Sequence, residues 1–186
     1  MQLSSLTQLP SSLRLREYQP TDLDACLSIY RSNLAEFLPD AIELFESHLM
    51  RPFSYYLVIE SAGSILACGG LDIRGDTNYA GLTFGMVRRD SHRCNVGSLL
   101  TLTRLALLDS EHDPALVGLE TTIAVEPFYQ RFGFQRKTTP EQRYAGGSYY
   151  VSMELMITIH ERNAIRAHLS KLPVTFDIEF PKTGNV

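Results

Sequence analysis

The sequence predicts one mixed α/β domain in which an antiparallel meander is followed by βα units. Three observations carry that reading. The chain has 186 residues, 44% of them hydrophobic, which suits one domain with a sizeable core at roughly 150 residues per domain. Apolar residues switch along the chain between a spacing of two and a spacing of three to four, in the order β-α-α-β-β-β-α-β-α-β. A polar, basic loop over 88–95 joins a strand to a Leu-rich helix.

The elements follow in order. Residues 1–12, rich in Ser, Gln and Leu, read as a loose tail. Leu13 to Tyr18 alternates apolar and polar, so it is a strand. Pro20-Thr21-Asp22 gives a turn and a helix cap, and Leu23, Cys26, Leu27 and Tyr30 mark one face of the helix that follows. Pro39-Asp40 opens a second helix over about 41–50, with Ile42, Phe45 and Leu49 inward. Ser54–Glu60 and Ile65–Ile73 form a hairpin around Ser61-Ala-Gly-Ser64, and Tyr79–Val87 adds a third strand. Leu99, Leu100, Leu102, Leu105, Ala106 and Leu108 give the next helix a broad buried face, stopped by Glu111-His-Asp-Pro114. Leu116–Thr122 is a short apolar strand. Pro127 suits a first helical position and Gly133 a left-handed C-cap, which predicts a short helix over about 127–132. Ser148–Ile157 is a long alternating strand. The domain is expected over 13–158, followed by an extension over 159–186 with a helix over 159–172 and a strand from Val174 to Phe180.

A formal charge of −4 argues against nucleic acid or an anionic membrane as the main partner, since both call for clustered Lys and Arg. The longest apolar run falls far short of the 18 or so residues that span a bilayer, and the N-terminus lacks the basic and apolar regions of a secretion signal. Cys26, Cys68 and Cys94 include no CxxC pair, so neither zinc nor a disulfide framework is signalled. A cytoplasmic protein without a metal is the simplest expectation, and a homodimer is compatible with it.

The most informative segment runs from Val87 to Leu100. A strand ends, a short polar loop follows, and a helix starts near Gly97. A helix N-terminus presents unpaired N–H groups and about half a positive charge, which suits a pyrophosphate. Arg93, with Arg88 or Arg89, would add charge-assisted bonds. An ordinary solvated helix start reads equally well from the residues alone. The loop is neither a P-loop nor a dinucleotide fingerprint.

This stretch resembles the acyl-CoA-binding signature of the GNAT N-acetyltransferase superfamily, (Arg/Gln)-x-x-Gly-x-(Gly/Ala), set between a strand ending in Val and a Leu-rich helix. Val87, the loop length, Gly97 and Leu99-Leu100 fall in register. His92 stands where Arg or Gln is preferred, Asn95 where the first Gly is, and Arg89 where Pro is common. Asn is the non-Gly residue most tolerant of positive φ. Some 30 residues on, Phe128-Tyr129-Gln-Arg-Phe132-Gly133-Phe134 resembles the family's Phe-Tyr-x-x-x-Gly-Phe element. The resemblance extends from Leu13 to about Ile157.

The resemblance implies a mixed, mostly antiparallel sheet flanked by helices and splayed between its central strands. It implies acetyl-CoA as co-substrate, contacted by Met86, Val87, His92, Arg93, Cys94, Asn95, Val96, Gly97 and Ser98, and a primary amine as acceptor. It makes Tyr129 the acid that protonates the departing thiolate. It also places an oxyanion-binding amide within Phe84–Val87, at a bulge with which Gly85 is consistent. For the amine's proton, Glu120 is the first candidate and Asp72 the second, though solvated strand-end carboxylates look the same. Glu36, Asp40, Glu43 and Glu46, on or near the first two helices, suggest a cationic acceptor, as would any solvated face. Cys94 reads as an incidental loop residue, Cys26 and Cys68 as small core residues, and His48, His112 and His160 as surface residues. A non-catalytic acyl-CoA-binding or regulatory module on the same scaffold is the alternative.

Overall fold

The computed structural model describes residues 6, 9–34, 40–51, 54–75, 77–109, 111, 113–142 and 148–181. The strands are β1 (Leu13–Glu17), β2 (Tyr55–Ser61), β3 (Ser64–Ile73), β4 (Tyr79–Val87), β5 (Ala115–Thr122), β6 (Gln135–Arg136), β7 (Glu141–Gln142), β8 (Tyr149–Ile157) and β9 (Val174–Asp177). The helices are α1 (Leu23–Ser32), α2 (Asp40–Leu49), α3 (Val96–Ala106), α4 (Glu126–Gln130) and α5 (Ile159–Leu169). The strands make one mixed sheet in the order β6-β8-β5-β4-β3-β2-β1-β9, with β7 on β8. Among the described residues, only the β4–β5 and β1–β9 pairs are parallel.

Side-chain alternation on the central strands sorts the helices into two layers. Leu57 and Ile59 of β2 join Leu99, Leu102, Leu105, Ile165 and Leu169 in the core beneath α3 and α5. Their neighbours Tyr56 and Val58 turn the other way, to Cys26, Ile29, Tyr30, Phe45 and Leu49 of α1 and α2. Cys26 and Cys68 meet in this second core with no exposed surface, as small core residues do. The Tyr30 and Phe45 rings stack at 5.5 Å and tie α1 to α2.

Most elements fall where periodicity puts them. The two-residue strands β6 and β7 were not foreseen, because so short a pair has no periodicity to read. The helix foreseen over 127–132 spans Glu126–Gln130, and Gly133 follows with φ +96°, the left-handed C-cap expected there. Most of residues 1–12 lie outside the described residues, but Leu6, placed in the loose tail, is buried in the larger core. His112 and Glu36 also lie outside them.

The extension past residue 158 shares the main core. Thr158 and Glu161 form a reciprocal capping box at the start of α5, and β9 lies beside β1 at the sheet edge. Buried Arg166 donates from Nε to Ala106 O at 2.9 Å and from Nη2 to Leu108 O at 2.6 Å. One guanidinium thus satisfies the orphan carbonyls at the end of α3. Arg166→Met should therefore lower the unfolding free energy by about 2–3 kcal/mol, the usual loss for charged hydrogen bonds into a buried site. Urea unfolding should show a lower midpoint at constant m value; an unmoved midpoint would make α5 a passenger on the sheet.

Candidate active site

The central strands part. β4 and β5 pair from Tyr79↔Leu116 to Leu82↔Leu119 and no further. Beyond that point Thr83–Val87 and Glu120–Thr122 become opposite walls of a cleft of about 1140 Å³. Its remaining wall comes from the 91–98 loop, the first turns of α3, and α4.

A bulge lies on the β4 wall. Pairing with β3 runs Gly70↔Thr83 and then Cys68↔Met86, so Gly69 faces both Phe84 and Gly85. One extra residue bends a strand and increases its twist. The left-handed backbone falls on Phe84, at φ +39°, and not on the glycine. Gly85 is needed for another reason: a Cβ there would lie 2.8 Å from Arg104 Nη2. The buried Arg104 side chain reaches under the bulge from α3, and its Nη1 donates to Gly70 O at 3.2 Å. Sequence reading missed Arg104, since it sits among leucines on a face read as apolar.

The loop after β4 is braced from two sides. His92 Nε2 and Asn33 Nδ2 each donate to Val87 O at 2.9 Å. His92, expected to face phosphate or solvent, thus also fixes the strand's exit. Asn33, at the end of α1, was missed because its target lies 54 residues away. Arg93 and Asn95 take φ values of +64° and +60°, so Asn95 does adopt the conformation that glycine would. Asn95 makes no side-chain cap to α3, which leaves the first-turn amides of Val96, Gly97 and Ser98 without an intrahelical partner. Arg93 lines the cleft, whereas Arg88 is paired to Asp90 at 2.7 Å. Cys94 is half-buried against the core, and its thiol makes only a long contact to His92 O, at 3.6 Å.

The short helix α4 aims Tyr129 at this cleft. The Tyr129 ring is 7% exposed and sits edge-on between Phe128 and Phe134, at 5.0 and 5.7 Å. Phe132 and Phe134 are core residues as expected. Glu126, at the start of α4, pairs with Arg136 of β6 and accepts from Gln130 Nε2 at 3.0 Å. The Arg136 guanidinium holds the Glu126 carboxyl below its ordinary range.

Glu120 and Asp72 both face the cleft and are exposed. They share one face with Thr83, Glu154 and Ser152, the face that α2 partly covers. His48 corrects its expected surface position: it is half-buried, with its ring 4.7 Å from that of Phe84 and its Nε2 3.0 Å from Thr83 Oγ1. Its spacing on α2 from Phe45 could have revealed this. His160 is exposed, as expected. No three His, Cys, Asp or Glu among the described residues are grouped to hold a metal ion. None of the helices described is long and apolar enough to cross a membrane.

No family model and no curated protein matches the chain. Solved structures do. The ribosomal-protein-S18-alanine N-acetyltransferase from Escherichia coli superposes with a TM-score of 0.65 at 21% identity, over 78% of this chain and 94% of that one. Ard1 from Thermoplasma volcanium gives 0.64 at 23% identity, over 78% and 98%. A GNAT family acetyltransferase from Brucella melitensis, in complex with acetyl-CoA, gives 0.57 at 16%, over 79% and 89%. The fold is that of the GNAT acetyltransferases: a mostly antiparallel open sheet flanked by helices.

The Glu126–Arg136 pair has a pH signature. A carboxyl with a lowered folded pKa adds stability above its unfolded value, about 4.3 for Glu, and that stability is lost as pH falls through the lower folded value. Glu126→Gln should remove this contribution. Melting temperatures of wild type and variant should differ at pH 7 and converge towards pH 2–3; a gap that does not depend on pH would leave the ion pair without a role.

Proposed function

We propose that this protein is an acyl-CoA-dependent N-acetyltransferase that moves acetyl from acetyl-CoA to a primary amine of a small molecule or peptide. One observation carries the reading: the parted β4–β5 cleft opens between the uncapped N-terminus of α3 and the buried phenol of Tyr129. The fold it shares with acetyltransferases supports it.

In this reading the diphosphate of the coenzyme rests on the amides of Val96, Gly97 and Ser98, with Arg93, His92, Cys94 and Asn95 shaping the loop. Where β5 has parted from β4, the backbone edge from the bulge through Met86 to the Val87 amide would hydrogen-bond the pantetheine arm, the Val87 carbonyl being held by His92 and Asn33. The amine attacks the thioester carbon directly, and the carbonyl electron pair moves to oxygen. An amide at the bulge stabilises that oxyanion. Collapse of the tetrahedral intermediate breaks the carbon–sulfur bond. The departing thiolate, whose thiol pKa is near 8.5, takes a proton from Tyr129, a phenol with a reference pKa near 10. Glu120, exposed on the β5 wall, draws in the protonated amine and is a candidate for accepting its proton. Cys26, Cys68 and Cys94 are all free thiols, in keeping with a reducing, cytoplasmic setting.

Acetyl-CoA at a hundredfold excess over its dissociation constant should stabilise the fold by about 2.7 kcal/mol, read as an upward melting shift. No shift at millimolar ligand would remove the loop from the proposal. Thiol release across a panel of amines separates an enzyme from a module that only binds the coenzyme.

Tyr129→Phe should lower kcat by about 10²-fold or more, the usual contribution of general acid catalysis, while acetyl-CoA affinity stays within threefold. Equal turnover by both proteins would take Tyr129 out of the mechanism.

A further inference from the structure

The acceptor reaches the thioester as an ammonium and must lose a proton before it can attack. The β4 wall holds a group suited to receive it. Thr83 immediately precedes the bulge and is among the residues that line the cleft. His48 Nε2 lies 3.0 Å from Thr83 Oγ1. The imidazole is clamped against Phe84 and edge-on to Tyr56, with centroids at 4.7 and 6.2 Å. Thr83 Oγ1 leans across Gly70, where a Cβ would collide with it. Glycine at 70 therefore leaves room for the hydroxyl beside the imidazole.

We infer that Thr83 and His48 form a relay that takes the proton from the acceptor amine. This rests on the acetyl-transfer reading above and adds a residue that does not touch the substrate. The ammonium N–H bond breaks, its electron pair stays on nitrogen, and the proton passes to Thr83 Oγ1. The Thr83 hydroxyl proton passes at the same time to His48 Nε2. The nitrogen pair then forms the bond to the thioester carbon, while Tyr129 protonates the leaving sulfur. Imidazolium returns its proton to solvent after the product leaves.

The relay requires His48 to be uncharged, with its proton on Nδ1. Its surroundings favour the uncharged form. Burial lowers the His48 pKa first and the Arg51 charge lowers it further, while Asp72 on β3 pulls the other way; the net direction is down from 6.5. The aromatic groups facing the ring are Phe84 on β4 and Tyr56 on β2, the latter with its own pKa raised by burial. The net effect favours the neutral imidazole. Glu120, on the opposite wall, then serves as the counter-charge that receives the ammonium.

The test combines spectroscopy with kinetics on the full chain. Nitrogen-detected NMR of the free protein should find His48 as the Nδ1–H tautomer at pH 7.5, whether or not any amine is acetylated. An Nε2–H tautomer would overturn the relay and leave the acetyl-transfer reading intact. In thiol-release assays with acetyl-CoA and an active amine, His48→Gln and the near-isosteric Thr83→Val should each lower kcat/KM for the amine by about 10²-fold. The KM for acetyl-CoA should stay within threefold. The acid limb of the wild-type pH profile should vanish in His48→Gln, persist in Glu120→Gln, and return with the rate in Thr83→Ser. Loss of the limb in Glu120→Gln alone, or a kcat/KM within threefold of wild type in both Thr83→Val and His48→Gln, would overturn the relay.

Discussion

The site depends on one extra residue in β4 and the guanidinium that fills the space beneath it. Gly69 faces both Phe84 and Gly85, so β4 bends just past its last pair with β5, Leu82↔Leu119. Arg104 occupies the hollow this leaves, within about 3 Å of where Cβ atoms of residues 69 and 85 would stand. Desolvating a guanidinium is costly, and part of that cost is offset by hydrogen bonds to Leu100 O and Gly70 O at 3.3 and 3.2 Å. A leucine would satisfy the core at lower cost but could not hold Gly70 O. The arginine thus couples α3, whose N-terminus forms one end of the cleft, to the strand that forms its wall. Two parts of the proposed coenzyme site are set by one side chain.

The two cores have different tasks. The α3–α5 core is mainly aliphatic beneath those two helices and carries the sheet, with Tyr129, Phe132 and Phe134 joining it from around α4, and buried Arg166 locks its helices together through the last carbonyls of α3. The α1–α2 core is smaller and richer in groups that can exchange hydrogen bonds or protons, among them Tyr30, Tyr56, Cys26 and Cys68. It backs the strand segment where the chemistry is proposed. The wall of the cleft therefore rests on a layer in which a polar side chain, His48, is positioned by the rings of Phe84 and Tyr56.

The sequence made the scaffold legible because the scaffold is built from long periodic segments. Leu13–Glu17, the hairpin around Ala62-Gly63 and the Leu-rich α3 each declare their buried face through spacing alone. The loop between β4 and α3 was legible because it joins a strand to a helix with a tolerant Asn where positive φ is needed. What stayed hidden was long-range. Asn33 bonds Val87 O, and His48 meets Thr83 35 residues away; no local pattern announces either. Arg104 was hidden by its neighbours, since a cation inside a run of leucines is read as a gap in the apolar face. Residues that touch across elements are where periodicity has nothing to say.

Gly85 also shows how a correct expectation can rest on the wrong atom. A glycine inside a strand pointed to a bulge, and the bulge is there. Yet the left-handed conformation belongs to Phe84, at φ +39°, a backbone state that costs a non-glycine residue about 1–2 kcal/mol. A glycine at 84 would relieve that strain and would also remove the ring that packs at 5.0 Å on Phe45 and 4.7 Å on His48. Phe84 is partly buried, so its ring gains part of the roughly 1.5–3 kcal/mol of full burial, and the Phe45 contact adds about 0.5–1.5 kcal/mol, which offsets the strain. Gly85 leaves room for Arg104 on one face of the sheet while Phe84 anchors the other. The bulge is held from both sides.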